Sequence, residues 1–362
     1  MWQRRRMQSC WDVWQEHFED PSVITFMMAP WPNNVLGPLS GFNAYGRANL
    51  HPASPLPKGG SGMLAVAIGR YLEAHGGTIL VNKPVTQLII ENGKCVGAEC
   101  ADGSQYRAEK AVFSTVHIKL LPSLAPKELW GKEFLEGVNS YHIGPADGLN
   151  VHFALKGPLQ YKKEDGSIIT PFQSTTLSSP ERGVRYEVEL ALGEVNIEDP
   201  VLHAVFQTAF DPSRAPKGMH VLRVLARAPY NLKDGGWKHW DDIKEQVADA
   251  NLKALQRRAY NFTDDLILDW FICTPPDFFA MNASQYEGCN FGGYAWPSQA
   301  GAMRPVPGWA EYRMPIPGLY QTGGTTHPGF GVTSAPGRNA AQIMLRDLGI
   351  NFNDLLAKNE KT

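Results

Sequence analysis

The sequence predicts a mixed α/β (α+β) chain, and three stretches carry that prediction. A helical pattern at 62–75 runs into short strand-like segments joined by tight turns. Strand-like runs recur between about 148 and 228, enough for a second, mainly antiparallel sheet. A strand at 319–322 feeds a glycine-rich loop and then a helix at 338–348.

The opening Met1-Trp2-Gln3-Arg4-Arg5-Arg6 is basic, but Gln8-Ser9-Cys10-Trp11-Asp12 follows, where a secretory signal needs an apolar stretch. Val13, Trp14, Phe18 and Ile24 fit an amphipathic helix, with a transit peptide as the other reading. Pro52, Pro55 and Pro57 before Gly59-Gly60 make a rigid-then-flexible connector. Ser61 is placed to cap a helix over 62–75, whose Leu64, Ile68, Tyr71 and Leu72 follow helical spacing, and Gly76-Gly77 ends it. Thr78–Val81, Val85–Ile90, Lys94–Cys100 and Gln105–Arg107 read as strands, the last three joined at Asn92-Gly93 and Asp102-Gly103 into an antiparallel meander. Ala111–Thr115 is a short buried strand.

In the middle, Asn150–Leu155, Tyr186–Leu192, Leu202–Phe210 and His220–Ala226 alternate as strands do. Trp240, Ile243, Val247 and Leu255 continue one helical face through about 239–258. In the last helix Ala341, Met344, Leu345 and Leu348 should point inward.

Across 362 residues, 43% hydrophobic content supports a buried core, and 34 Lys+Arg against 36 Asp+Glu give a charge of -2, which excludes a basic nucleic-acid footprint. Cys10, Cys95, Cys100, Cys273 and Cys289 show no CxxC or His-containing metal spacing, so no metal is expected. Their number and scatter favour a reduced, cytoplasmic setting, or an organelle in a eukaryote. No apolar run reaches the length of a membrane span; peripheral membrane contact stays open.

The segment Gly318-Leu319-Tyr320-Gln321-Thr322-Gly323-Gly324-Thr325-Thr326-His327-Pro328-Gly329-Phe330-Gly331-Val332 has the geometry of an anion holder. Glycines let backbone N–H groups approach a phosphate, and a following helix start adds partial positive charge. The same terminus suits negative charge on a reduced flavin ring. A purely structural turn fits the spacing equally well.

That segment resembles the last FAD-contacting motif of the phytoene desaturase, carotenoid isomerase and amine oxidase superfamily of FAD-dependent oxidoreductases. Pro57-Lys58-Gly59-Gly60, Gly76-Gly77-Thr78-Ile79, Lys83-Pro84-Val85-Thr86, Gly93–Ala98, Asp102-Gly103 and Ala111–Ser114 are similar to its middle block in order and spacing. Asp211–His220, Thr274-Pro275-Pro276-Asp277 and Arg304-Pro305 also match. The resemblance implies an incomplete FAD/NAD(P)-binding Rossmann-like domain plus an antiparallel-sheet substrate domain with helices. Its parts would be 1–56, helical and aromatic-rich, in the substrate domain; 57–118, in the FAD domain; 119–310, substrate domain; and 311–362, FAD domain.

By the same resemblance FAD is the cofactor. Val85 would meet the adenine end through its backbone, Gly323 and Gly324 the pyrophosphate and ribityl chain, and Gly331, Val332 and Thr333 the pyrimidine edge. Lys58, Gly59 and Gly60 join these cofactor candidates, although an exposed loop lysine explains Lys58 as well. His327 is placed near the ring, as a polar contact, a proton shuttle or a structural histidine. Tyr294 and Trp296 either line an apolar substrate slot or pack in the core. Cys289 has no base beside it in sequence.

One part of the family pattern is absent. No strand–GxGxxG–helix with an acidic residue about 20 positions on occurs here; Gly59-Gly60-Ser61-Gly62 follows prolines, not a strand. The expectation is therefore an oxidoreductase portion that abstracts hydride from an apolar or amine-type substrate, needing that unit from a companion chain or upstream frame, with a homo-oligomer as the other partner. The alternatives are a cofactor-free ligand-binding or interaction protein and a redox-neutral flavin-dependent isomerase. The aromatic opening, with Trp11, Trp14, Phe18, Phe26, Trp31, Phe42 and Tyr45, suits a large apolar substrate or a partner chain equally.

Overall fold

The computed structural model describes residues 2–29, 35–41, 44, 56–144, 148–294, 296–329 and 331–359. Trp31, Phe42 and Tyr45 of the aromatic opening, and Pro52 and Pro55 of the connector, lie outside the described residues. The chain starts with helices α1 (Trp2–Met7), α2 (Cys10–His17), α3 (Pro21–Met28) and α4 (Gly62–Ala74), then strands β1 (Val85–Glu91), β2 (Lys94–Cys100), β3 (Gln105–Arg107) and β4 (Val112–Ser114). Helix α5 (Lys132–Asn139) precedes β5 (Leu149–Leu155), β6 (Tyr161–Lys162), β7 (Ile168–Ile169) and β8 (Gln173–Thr175). Helix α6 (Pro180–Ala191), β9 (His203–Phe206), β10 (His220–Ala226), α7 (Trp240–Gln256), β11 (Ile267–Cys273) and α8 (Pro275–Met281) follow. The chain closes with β12 (Leu319–Gln321), α9 (Ala335–Asp347) and α10 (Phe352–Asn359).

Two compact units result: Met1–Ile79 with Pro145–Phe278, and Leu80–Gly144 with Phe279–Thr362. In the first, five strands form an antiparallel sheet in the order β11-β5-β10-β9-β8. Leu149, Val151, Phe153 and Leu155 alternate onto one face and pack with Leu222, Val224, Trp240, Val247 and Leu255, so the period of two in β5 meets the helical stripe of α7. A second cluster holds α2, α3 and α6 together through Val13, Trp14, Ile24, Met28, Tyr186 and Leu190. Ser9 starts α2 with a reciprocal cap, its hydroxyl accepting from the Asp12 N–H while the Asp12 carboxylate accepts from the Ser9 N–H.

Several expectations are corrected in this unit. Tyr186–Leu192 falls in the end of α6 and its C-cap, Leu192, not in a strand: Ser179 caps the start of the helix and Pro180 sits in its first turn, and the alternation hides an i, i+4 pair, Tyr186 and Leu190, on the buried face while Val188 and Leu192 are exposed. The strand at 202–210 stops at Phe206, and a 3-10 turn takes Gln207–Ala209. Thr78–Val81 forms no strand, and Ile79, Leu80 and Val81 are exposed. Helix α4 forms where expected, yet Ser61 makes no side-chain cap, and its stripe of Leu64, Ile68, Tyr71 and Leu72 is 38–61% exposed.

In the second unit β1, β2 and β3 form the expected meander, with Asn92 and Gly93 at positive φ in the first turn. The separate pair β12-β4 is parallel. Its core joins Leu88, Ile118, Leu121, Trp130, Phe134, Tyr141, Val306 and Leu319. Helix α9 starts earlier than expected, and Pro336 and Ala340, rather than Leu348, are its buried residues.

Candidate functional site

Strands β4 and β12 run side by side in register, Leu319 opposite Val112 and Gln321 opposite Ser114. Being parallel, they release their following loops, 115–117 and 322–334, at one edge. Open α/β sheets bind ligands at such carboxyl ends. The Thr322 N–H donates to the Ser114 carbonyl at 2.8 Å, and Gln321 Nε2 donates to the Val116 carbonyl at 2.7 Å, so the two loops leave tied together.

Gly323 has φ +93, and the nearest atom to a side chain placed there would be Thr115 Cβ at 3.8 Å. The turn therefore needs glycine for its backbone and leaves its surroundings open. Gly324 is packed on Gly292, where an added Cβ would stand 2.7 Å from the Gly324 carbonyl carbon. Beneath this contact lies Arg304, 2% exposed. Its guanidinium donates to the Gly324 carbonyl at 2.6 Å, to those of Phe291, Gly292 and Tyr294 at 3.3 Å, and to that of Gln299 at 3.4 Å. Burial lowers the pKa of Arg304, with Tyr141 opposing that shift. Five carbonyl dipoles stabilise the buried cation.

Tyr141 lies under that guanidinium at 5.6 Å and donates its hydroxyl to the Gly292 carbonyl at 2.6 Å. Burial pushes the Tyr141 hydroxyl up, which keeps it a donor. His117 stacks on Tyr286 at 5.1 Å and meets Tyr141 edge-on at 6.0 Å. Its Nδ1 accepts from the Lys119 N–H at 3.2 Å, and burial lowers its pKa from 6.5 to about 4. It is a neutral imidazole across the physiological range.

The second unit brings Gly323, Gly324 and the 291–296 segment together. The rings of Tyr294 and Trp296 meet at a tilt of 39°, 5.1 Å between centroids, and the Tyr294 ring fills the space that a side chain at Gly144 would take. His327 is exposed; its carbonyl accepts from the Tyr312 hydroxyl at 2.7 Å. Gly331, Val332 and Thr333 form an exposed stretch before α9, with Val332 86% exposed. Thr333 Oγ1 accepts from the Ala335 N–H at 3.2 Å. Val85 is an exposed residue at the start of β1, and Cys289 is buried with its thiol toward the Ile143 carbonyl.

Lys58, Gly59 and Gly60 belong to the first unit. Lys58 is exposed, while Gly59 and Gly60 have φ +84 and +116. The Gly59 N–H donates to Asp211 Oδ2 at 2.7 Å, and Arg214 holds the same oxygen at 3.1 Å, which draws the connector onto the 211–214 turn. The Ser213 hydroxyl and the Gly59 N–H hold the Asp211 carboxyl well below its usual range.

Sequence reasoning missed Arg304 as an organiser, along with His117, Tyr141 and Gln321. Arg304 was visible only as half of an Arg-Pro pair, because its five partners come from backbone atoms that no side-chain pattern encodes. Among the described residues no cluster of His, Cys, Asp and Glu has metal-holding geometry. Two buried polar atoms at the end of β12, Gln321 Oε1 and Thr322 Oγ1, have no hydrogen-bond partner among the described residues. Beside an open glycine turn, they fit a polar cofactor group.

A family model described as flavin containing amine oxidoreductase matches residues 3–345, nearly the whole chain. The chain belongs to the flavin-containing amine oxidoreductase family. This amine oxidoreductase chain is 28% identical over 330 residues to rat pyridine nucleotide-disulfide oxidoreductase domain-containing protein 2, covering 87% of this chain and 54% of that one. It is 27% identical to one of the subunits of limonene dehydrogenase from Castellaniella defragrans, over 84% of this chain and 59% of the other. With carrot prolycopene isomerase it shares 23% identity over 95% of this chain and 53% of that one. The chain thus spans little more than half the length of these relatives. An oxidoreductase structure from Methanosarcina mazei superposes with a TM-score of 0.57 at 15% identity, covering 94% of this chain and 68% of that one. The mixed α/β architecture is therefore the fold of the amine oxidoreductase family.

Proposed function

We propose that this chain is the substrate-handling and C-terminal flavin-contacting portion of an FAD-dependent oxidoreductase that dehydrogenates an apolar or amine-type substrate. The observation that carries the proposal is the 323–324 turn, clamped through Arg304 at the carboxyl ends of two parallel strands, with Gln321 Oε1 and Thr322 Oγ1 orphaned beside it. When bound, the flavin supplies the redox chemistry by accepting a hydride from substrate carbon. Gly323 and Gly324 offer backbone N–H groups to the pyrophosphate and ribityl chain, Val85 meets the adenine end through its backbone, and Gly331, Val332 and Thr333 take the pyrimidine edge. Tyr294 and Trp296 form an aromatic wall that excludes water, and His327 offers a polar contact.

Two features support a companion unit carrying the dinucleotide grip. A two-stranded parallel sheet is below the size at which such sheets stand alone, and β4-β12 stops at two strands among the described residues. In the other unit, the apolar stripe of α4 is left exposed. A relative named as a subunit of limonene dehydrogenase is consistent with work shared between chains and with an apolar hydrocarbon substrate. A second copy of this chain is the competing occupant. It would cover the same surfaces without supplying the GxGxxG pattern.

Co-expression with a GxGxxG-bearing βαβ unit tests the proposal. The expected result is a complex that purifies yellow with a flavin absorbance band. A complex that assembles but stays colourless overturns it and favours a cofactor-free ligand-binding protein. A redox-neutral isomerase reading rests on the 95% coverage by prolycopene isomerase. Product mass separates the two readings, since dehydrogenation removes two hydrogens and isomerisation none.

A further inference from the structure

The five-stranded sheet of the first unit has one face packed on α7 and a second face of different chemistry. Across it runs a row in register: Phe271 of β11, His152 of β5, Arg223 of β10 and Val205 of β9. The next row, Asn150, Leu225 and His203, is buried, whereas the first row is half-buried and ends in Phe271 at 57% exposed. Arg223 is therefore seated at the boundary between the buried and open parts of this face.

Its electrostatics are unusual for an arginine at that depth. Nε donates to Asn150 Oδ1 at 3.1 Å, and among the described residues no carboxylate lies within ion-pair distance of its guanidinium. The neighbouring rings are kept neutral. Burial, then the Arg223 charge, lowers His152, and the same causes in the same order lower His203 to about 4. His152 lies flat on Phe271, 4.8 Å between centroids and 6° between planes, so the cation is bordered by an aromatic shelf. A half-buried guanidinium with its terminal nitrogens unmatched by an acid is a preorganised fork for a carboxylate.

We infer that Arg223 anchors the carboxylate of a ligand whose apolar body lies along the Phe271–His152 shelf. The inference deepens the reading of this unit as the substrate domain and rests on it. It narrows the substrate class to apolar acids, because an uncompensated positive charge with no acidic neighbour repels a protonated amine.

Calorimetric titration of the full chain with octanoate, octan-1-ol and octylamine tests it without any flavin. Octanoate should bind at least tenfold more tightly than octan-1-ol, with octylamine weakest. Arg223→Gln should abolish the preference for octanoate, Arg223→Lys should keep part of it, and Phe271→Ala should weaken octanoate and octan-1-ol alike. Equal binding of acid and alcohol, or an unchanged preference in Arg223→Gln, overturns the inference. A preference for octanoate in a chain that never binds flavin would leave the ligand site standing and remove only the redox proposal.

Discussion

The guanidinium of Arg304 reaches the carbonyl oxygen of Gly324 at 2.6 Å, and through its other donors ties the turn after β12 to the 291–299 segment. Replacing it by Met leaves buried carbonyls without a donor and should cost about 2–4 kcal/mol. Arg304→Lys should recover only part of this, since an ammonium does not span a planar set of acceptors. Urea unfolding measures both. An unchanged midpoint in Arg304→Met would show that the clamp contributes nothing.

The contact of Gly292 with Gly324 makes a sharper test. Gly292→Ala combines φ +65 with a Cβ 2.7 Å from Gly324, whereas Gly103→Ala combines φ +79 with open space. The second should cost about 1 kcal/mol of conformational strain, and the first that amount plus about 1–3 kcal/mol of steric displacement. Thermal midpoints of the two variants, compared side by side, isolate the packing part.

His117 sets an acid limb. Its pKa is about 4 in the folded chain against an ordinary 6.5, so the unfolded chain binds a proton over that window and the folded chain does not. Stability is therefore full above about pH 6.5 and declines as pH falls towards 4, at about 1.4 kcal/mol per pH unit for one proton. His203 acts with the same sign in the other unit. In His117→Phe, which keeps a ring against Tyr286, the slope of unfolding free energy between pH 6 and pH 4.5 should drop by one proton.

Asp211 holds the connector. In Asp211→Ala the Gly59 N–H and Arg214 lose a shared acceptor, so amide exchange at Gly59 should quicken while amides in β5 and β10 stay protected. Unaltered exchange at Gly59 would show that the turn holds itself.

The meander, the helices at 62–74 and 240–256, and the strands β5 and β10 were all legible in the sequence. Each combines a clear period with punctuation that agrees with it, as Asn92-Gly93 does between β1 and β2. Tyr186–Leu192 was not, because four alternating apolar residues satisfy a strand template and half of a helical face at once. Strands β8 and β11 were missed for a different reason. Gln173-Ser174-Thr175 has no apolar period, and Ile267–Cys273 is an edge strand whose identity is decided by its neighbour. Of the site, the glycine turn could be read from spacing, whereas Tyr141 and Arg223 act through Gly292 and Asn150, far away in sequence, and Arg304 acts through backbone carbonyls that include Gly324, 20 residues on.

The exposed face of α4 supplies a last test. Ile68→Lys should leave stability within about 0.5 kcal/mol, since the residue is 53% exposed. It should instead lower recovery of the companion unit in co-purification. Normal recovery would place that contact elsewhere.

Strand β4 ends at Ser114 and its only partner among the described residues begins at Leu319, with most of the first unit's residues encoded between them. On a ribosome, the nascent β4 must wait without β12 while that intervening stretch is made. Closure of so long a loop is slow, so the second unit should complete late, and the interval is when chaperone capture or mispairing of the waiting strand is most damaging.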